Sequence, residues 1–394
     1  MPTPTTPIPG KALLNSDSNF GGHLKEEVWV VDVAAVTALG DTLRSTWQGL
    51  LEGITAIGAD QKSPRRHFGV VPLALVDGTA PQKGHSAIGH LVKRVLDQVS
   101  LVPPDTRIIT ATTKAGIDNL ERRSRGQAAA AGDMLLSNLG RRIAEHLHLA
   151  HQGINISAAC ASSTIALGQG AGWIASGQAE AVLVCGADLV TEFVVKGFQA
   201  LKALSPEACR PFDRYRDGLS LGEGAAAMLL MSPARARREG CRKLAGIAGW
   251  AAAGDAVHMT APDRHGRGLT RAVRSAVAMA GIAPTAVTVV NAHGTGTRYN
   301  DMMELTAFKR IFRDQPLALY SAKGALGHTL GAAGIIEASL SVIGLAEQIV
   351  PPTVGCQAAE ALAQAWIQQG PQRVAHDIAI STNSGFGGIN AALV

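Results

Sequence analysis

Short apolar runs recur along this 394-residue chain, and helix-length segments separate them. Clear examples lie at residues 28–33, 181–187, 225–231 and 287–291. Continuous hydrophobicity, without alternation, is typical of strands that are buried on both faces. Such strands need helices on both sides of their sheets, so the expected fold is α/β.

The second half of the chain repeats the order of strands and helices in the first half. We therefore expect an internal duplication in which two sheets pack about buried helices. The predicted divisions are a flexible leader at residues 1–26, a first half at 27–240 and a second half at 241–394, with an irregular excursion at 58–87. Asp41 is the expected N-cap of the first helix.

Composition excludes several classes of protein. The net charge is only +5 and aromatic residues make up 4%, without a Lys/Arg block, so we expect no nucleic acid partner. A mildly basic surface suits an acidic protein partner or a phosphate-bearing substrate. Five scattered cysteines without CxxC spacing argue against a zinc cluster and for a reducing, cytoplasmic setting. No apolar run reaches the ~20 residues of a membrane span.

Cys160 is the first candidate for chemistry. It follows a short predicted strand at 153–157 and precedes a small-residue, apolar helix. The first N–H groups of a helix lack intrahelical partners, and the positive end of its dipole favours a thiolate. A nucleophile and an inert buried thiol are equally compatible with this stretch alone.

Three loops that follow predicted strands carry the remaining polar candidates, at residues 291–297, 323–331 and 383–390. In α/β sheets, sites assemble in the loops beyond the carboxyl ends of strands. His293 and His328 each lie between or near glycines, which permit close backbone approach. Lys323 and Glu337 could form a supporting ion pair. The two histidines could bind a metal, but no third ligand has suitable spacing.

Together these motifs resemble the β-ketoacyl-acyl-carrier-protein synthases of the elongating, Cys-His-His type. The motifs are Cys160, Asn-Ala-His293-Gly-Thr-Gly-Thr, Lys323-Gly-Ala-Leu-Gly-His328, Gly-Ala-Ala-Gly334 and Gly385-Phe-Gly-Gly, in the family order over residues 28–394. The resemblance implies the thiolase fold, with two mixed sheets in αβαβα layers. It also implies a dimer, either of identical chains or with a related ketosynthase-like subunit. The expected substrates are acyl and malonyl thioesters on the phosphopantetheine arm of an acyl carrier protein, without metal or other cofactor.

The resemblance also implies a role for each site residue. Cys160 would take the acyl group, with the N–H groups of Cys160 and Phe386 as oxyanion hole. His293 and His328 would stabilise the enolate formed when malonyl loses carbon dioxide, and Lys323 with Glu337 would support them. Substrate contacts would come from the following residues: Thr295, Thr297, Ser384 and Gly387.

Two departures from the family pattern favour a specialised fatty-acid, polyene or polyketide pathway. Ser384 stands where the family usually has Phe, and the excursion at 58–87 is short. Arg210 matches a family position near the carrier surface, and Arg122 and Arg123 are further basic candidates for carrier docking.

Three other functions remain to be weighed against this one. A chain-length-determining partner subunit usually lacks the nucleophile, whereas Cys160 is present. A degradative thiolase usually has a second cysteine in the last loop, which here reads Gly385-Phe386-Gly387-Gly388. A starter-type synthase would have Asn in place of one histidine.

Overall fold

The structure is a computed structural model that describes residues 26–58, 71–375 and 377–394. The predicted leader, apart from residue 26, lies outside the described residues. So do residues 59–70 of the predicted excursion, and the expectation that this excursion is short stays a prediction.

The first half, together with the start of the second, builds a six-stranded mixed sheet in the order β3-β2-β4-β5-β1-β6. Its strands are β1 (Trp29–Thr37), β2 (Arg107–Ala111), β3 (Ile154–Ile156), β4 (Ala181–Asp188), β5 (Gly224–Met231) and β6 (Ala245–Gly246). Every residue of β4 and β5 is buried. This burial explains why both strands have continuous apolar sequences.

The second half builds a five-stranded sheet in the order β7-β13-β12-β8-β9. Its strands are β7 (Trp250–Gly254), β8 (Val289–Asn291), β9 (Ala318–Tyr320), β12 (Ala379–Gly385) and β13 (Ile389–Leu393). A separate two-stranded ribbon consists of β10 (Ile349–Val350) and β11 (Gln372–Arg373).

The two sheets share one pairing pattern. In the first, β3, β2 and β4 are parallel neighbours, and β5 and β1 follow antiparallel. In the second, β9, β8 and β12 are parallel neighbours, and β13 and β7 follow antiparallel. The expected internal duplication is therefore present in the topology.

Helices fill three layers around these sheets. They are α1 (Leu43–Leu51), α2 (Ala87–Leu96), α3 (Ile117–Ser124), α4 (Leu136–Leu147), α5 (Ser162–Ala175), α6 (Glu192–Ala200), α7 (Pro233–Arg238), α8 (Arg267–Met279), α9 (Arg298–Phe312), α10 (Lys323–Leu326) and α11 (Ala333–Glu347). Within the described residues, three short 3-10 helices lie at Ala131–Met134, Pro284–Ala286 and Leu330–Ala332.

Helices α5 and α11 form the central layer, because they contact each other and strands of both sheets. Helices α2 and α4 cover the outer face of the first sheet, and α8 lies on the second sheet with α9 against it. The order of layers is thus helix, sheet, helix, sheet, helix, as predicted.

One local expectation differs from the structure. The N-cap of α1 is Thr42, not Asp41, because Thr42 and Ser45 exchange hydrogen bonds in a capping box. Leu330–Glu347 is long and apolar enough to cross a membrane by length and composition, but 72% of it is buried inside the protein. It therefore belongs to the core of the fold.

Candidate active site

Cys160 lies in the tight turn between β3 and α5. Ala159, just before it, has a φ of 49°, in the left-handed region that β-carbon-bearing residues seldom adopt. The turn is held by Ser162, whose Oγ accepts from the N–H of Ala158 at 2.8 Å. Among the described residues, the N–H groups of Cys160 and Phe386 donate to no protein acceptor. Both donors are therefore free for a ligand, as an oxyanion hole requires.

The two histidines meet at Cys160. Nε2 of His328 lies 2.9 Å from Sγ of Cys160. The rings of His293 and His328 are perpendicular, with centroids 5.1 Å apart. Burial, reinforced by the charge of Lys323, holds the pKa of each histidine well below its usual range. Both rings are therefore neutral at pH 7.

Burial also raises the pKa of the Cys160 thiol to about 11, although the charges of Lys323 and Lys114 oppose the effect. A hydrogen bond from His328 and the start of α5 would both stabilise the thiolate once it forms. The site thus combines a buried thiol with local groups that favour its anion.

Behind the histidines lies a buried ion pair between Lys323 and Glu337, each only 2% exposed. Lys323 begins the short helix α10, and Glu337 lies in α11. Burial raises the pKa of Glu337, and the adjacent ammonium opposes that shift. The pair brings a positive charge close to both rings without facing the cavity.

Two acidic residues that the sequence analysis did not single out hold the His293 loop. Glu304 accepts from the N–H groups of His293 and Gly294 at 2.8 and 2.7 Å. Asp301 accepts from the N–H groups of Thr295 and Gly296. Burial and the neighbouring Asp301 raise the pKa of Glu304 to about 8. The available signal was two acids in the first turns of α9, directly after the loop.

A cavity of about 430 Å³ opens onto these groups. Cys160, both histidines and four predicted substrate or gate residues line it: Thr295, Thr297, Ser384 and Phe386. Gly387 is not part of the lining, and its N–H donates to the carbonyl of Met259 at 2.6 Å. The ring of Phe386 stacks on Phe198, with centroids 5.7 Å apart.

Ser384 makes one wall of the cavity polar. Its Oγ donates to Oδ1 of Asn390 at 2.7 Å. Asn390 also donates to Oδ1 of Asp255 at 2.9 Å, and all three residues line the cavity. A phenylalanine at this position would have presented an apolar ring instead.

The three arginines predicted to contact the carrier lie in two places. Arg122 and Arg123 are on α3 and donate to backbone carbonyls of residues 128 and 129. Arg210 lies 3.9 and 3.8 Å from Glu207 and Asp217, in a different loop. None of these three lines the cavity. The exposed cations on its lining are instead Lys202 and Arg298, which the sequence analysis did not identify.

The arrangement can form a covalent thioester on sulfur, bind an oxyanion with backbone N–H groups and hydrogen-bond a second carbonyl with neutral imidazoles. Cys160, His293 and His328 also place three potential metal-ligand atoms within 4.8 Å of one another. Cys160 thus supplies a third potential ligand atom that sequence spacing did not reveal.

Comparison with known proteins identifies the family. The beta-ketoacyl synthase N-terminal domain matches residues 97–236, and the beta-ketoacyl synthase C-terminal domain matches residues 244–357. A 3-oxoacyl-[acyl-carrier-protein] synthase 2 from Vibrio harveyi is 31% identical over 94% of this chain and 98% of its own length. The chain belongs to the β-ketoacyl synthase family, as the motifs predicted.

Solved structures agree in fold. An ishigamide ketosynthase/chain length factor is 26% identical, with a TM-score of 0.85 over 94% of this chain and 98% of its own. A ketosynthase in complex with its chain length factor from Xenorhabdus doucetiae is 27% identical, with a TM-score of 0.82 over 96% and 99%. These likenesses confirm the predicted thiolase-type architecture of paired mixed sheets.

Proposed function

We propose that this protein is a β-ketoacyl-acyl-carrier-protein synthase, which joins an acyl group to a malonyl-derived carbon with loss of carbon dioxide. The observation that carries the proposal is the contact of 2.9 Å between Cys160 Sγ and His328 Nε2, beside a second neutral histidine, His293. This geometry supports both half-reactions at one point of the cavity.

In the first half-reaction, the Cys160 thiolate attacks the carbonyl carbon of an acyl thioester. The tetrahedral oxyanion is bound by the N–H groups of Cys160 and Phe386. The thiolate of the phosphopantetheine arm leaves, takes up the proton that the Cys160 thiol gave up, and departs with its carrier. The acyl group then remains on Cys160 as a new thioester.

In the second half-reaction, malonyl thioester enters, and its carbonyl oxygen accepts hydrogen bonds from His293 and His328. The C–C bond to the carboxylate breaks, carbon dioxide leaves, and its bonding electrons form the enolate. The enolate carbon attacks the acyl carbonyl on Cys160 and expels the thiolate. The product is a β-ketoacyl chain, one two-carbon unit longer, on the carrier.

The proposed partner is an acyl carrier protein. Lys202 and Arg298 are exposed at the cavity, where they suit the acidic surface and phosphate of a loaded carrier. Thr295 and Thr297 lie further in, 2.9 Å apart through their hydroxyls, and could hydrogen-bond the amides of the arm. Arg210, Arg122 and Arg123 remain weaker candidates, because none of them lines the cavity.

A dimer fits the outer edge of the first sheet. Within the part of the chain that the structure describes, β3 has a partner only on its β2 side. Ile154 on this edge strand is 45% exposed. We propose that a second ketosynthase-like subunit, identical or related, covers this edge, because unpaired edge strands invite pairing.

No metal or organic cofactor enters this mechanism, because a thioester already makes its α-carbon acidic. The five cysteines are free, which supports a reducing, cytoplasmic setting. A specialised pathway is proposed because Ser384 gives the cavity a polar wall where the family usually has a phenylalanine. Retention of Cys160 argues against a non-catalytic partner subunit.

The experiment is intact-mass analysis after incubation with a panel of acyl carrier proteins. We expect a thioester adduct that is absent from Cys160→Ala and retained in Cys241→Ala, a matched thiol away from the cavity. His293→Ala should still load but should lose decarboxylation of malonyl carrier. Adducts that persist in Cys160→Ala, or their absence with every donor on a folded protein, would overturn the proposal.

A further inference from the structure

We propose that Asn383, near the end of β12, is a positioning residue that keeps the proton of His293 on Nε2. The inference rests on the proposed function, because that proton is the one the malonyl carbonyl would accept. Asn383 is fully buried and touches three polar side chains: Thr164, His293 and Glu337.

The orientation of the amide follows from its partners. Nδ2 of Asn383 lies 2.8 Å from Oε2 of Glu337, whose other oxygen faces Lys323. A carboxylate in an ion pair only accepts hydrogen bonds, so the nitrogen must be the atom on this side. Oδ1 on the other side accepts from the hydroxyl of Thr164.

The same nitrogen lies 3.1 Å from Nδ1 of His293. An amide nitrogen carries two hydrogens and no acceptor capacity, so it donates one to Glu337 and one to the ring. Nδ1 of His293 is therefore the unprotonated nitrogen. In a neutral imidazole the proton then sits on Nε2 of His293, whose side chain lines the cavity.

His328 has the same tautomer for a different reason. The backbone N–H of Leu330 donates to its Nδ1 at 3.3 Å, which leaves the proton on Nε2. One ring is thus oriented by the main chain and the other by the Asn383 side chain. A change at Asn383 should alter one histidine alone.

This arrangement also bears on the three clustered ligand atoms. A histidine that binds metal through Nε2 usually donates its Nδ1–H to an acceptor. Here both Nδ1 atoms face donors, from Asn383 and Leu330. The cluster is therefore arranged to donate hydrogen bonds to an oxygen and not to ligate a cation.

The first test measures the tautomer directly in the wild-type protein. Long-range ¹H–¹⁵N spectra of ¹⁵N-histidine-labelled protein separate protonated from unprotonated ring nitrogens, and the His293 signals are those missing from His293→Ala. We expect an unprotonated Nδ1 and a protonated Nε2 at pH 7.5. A proton on Nδ1 would overturn the proposal without any substitution at Asn383.

The second test uses Asn383→Asp. Beside Glu337 the two carboxyls would share a proton, and the new oxygen would accept from Nδ1–H of His293, reversing the tautomer. We expect decarboxylation of malonyl carrier to fall about 100-fold, the loss typical of one removed oxyanion donor. Acyl loading of Cys160 should stay within about threefold, because the oxyanion hole is untouched.

Thr164→Val is the matched control, because it removes the hydrogen bond to Oδ1 and leaves both Nδ2 contacts in place. It should retain decarboxylation within about threefold. An equal loss of decarboxylation in Thr164→Val and Asn383→Asp, with an unchanged His293 tautomer in both, would show that Asn383 acts only through packing. Failure of wild-type protein to load any acyl group would instead refute the proposed function.

Discussion

Removing the charge of Lys323 should destabilise the protein by an amount that depends on pH. In Lys323→Met, Glu337 stays buried without its cation, so the folded protein must protonate it. Taking up that proton costs about 1.36 kcal/mol for each pH unit above an unfolded pKa of about 4.3. At pH 7.0 this amounts to about 3.7 kcal/mol, within the ~3–5 kcal/mol typical of a broken buried pair.

The sign of the pH dependence follows from the same argument. A carboxyl whose pKa is higher in the folded than in the unfolded state destabilises the folded protein at high pH. This destabilisation disappears as the pH falls toward the unfolded pKa. The difference in unfolding free energy between wild type and Lys323→Met should therefore shrink by about 2.7 kcal/mol from pH 7.5 to pH 5.5. Urea unfolding followed by tryptophan fluorescence, at fixed protein concentration, measures both values.

Two variants make this test specific. Lys323→Met/Glu337→Gln keeps an acceptor for Asn383 but has no carboxyl at position 337, so the pH dependence of its difference from wild type should vanish. Lys93→Met removes an exposed lysine paired with Asp97 and should cost no more than about 1 kcal/mol at either pH. A penalty in Lys323→Met that is the same at both pH values would refute the reasoning.

Three further outcomes are expected. Gly334→Ala should lose about 1–3 kcal/mol in urea unfolding, because its methyl would lie 2.7 Å from Oδ1 of Asn383. Gly197 lies in a helix and has open space where a β-carbon would be, so Gly197→Ala should be neutral or stabilising. Equal losses of stability in the two variants would contradict the packing argument. Lys202→Glu should raise KM for the acyl carrier about tenfold, with kcat nearly unchanged, and an unaltered KM would remove Lys202 from the docking surface. Ile154→Lys should give monomers in light scattering, and an intact dimer would place the interface elsewhere.

Local sequence was enough to predict the turn and the loops that contain the residues of the candidate site. Cys160 could be placed at a strand-to-helix turn because apolar periodicity marks both elements. Glycines around His293 and His328 indicated loops where backbone approaches a ligand. The fold class followed from the continuous apolar strands and their repetition.

The long-range contacts of the site could not be predicted in this way. Asn383 and His293 are 90 residues apart, and no local pattern indicates which ring nitrogen faces which amide. Lys202 and Arg298 look like any other surface cation until the topology brings both to one cavity. Arg122 and Arg123 were chosen by charge alone, and charge does not show that they already hold carbonyls.

The matching pairing of the two sheets gives Cys160 and His328 comparable places in the fold. Cys160 lies in the connection from β3 to α5, and His328 lies in the connection from β9 to α11, which also contains the short helix α10. The contact between Cys160 Sγ and His328 Nε2 therefore lies where the two halves of the fold meet. Ile335 N–H donates to Ser163 Oγ at 3.0 Å across that junction. A substitution that shifts one half relative to the other would therefore change the distance between Cys160 and His328.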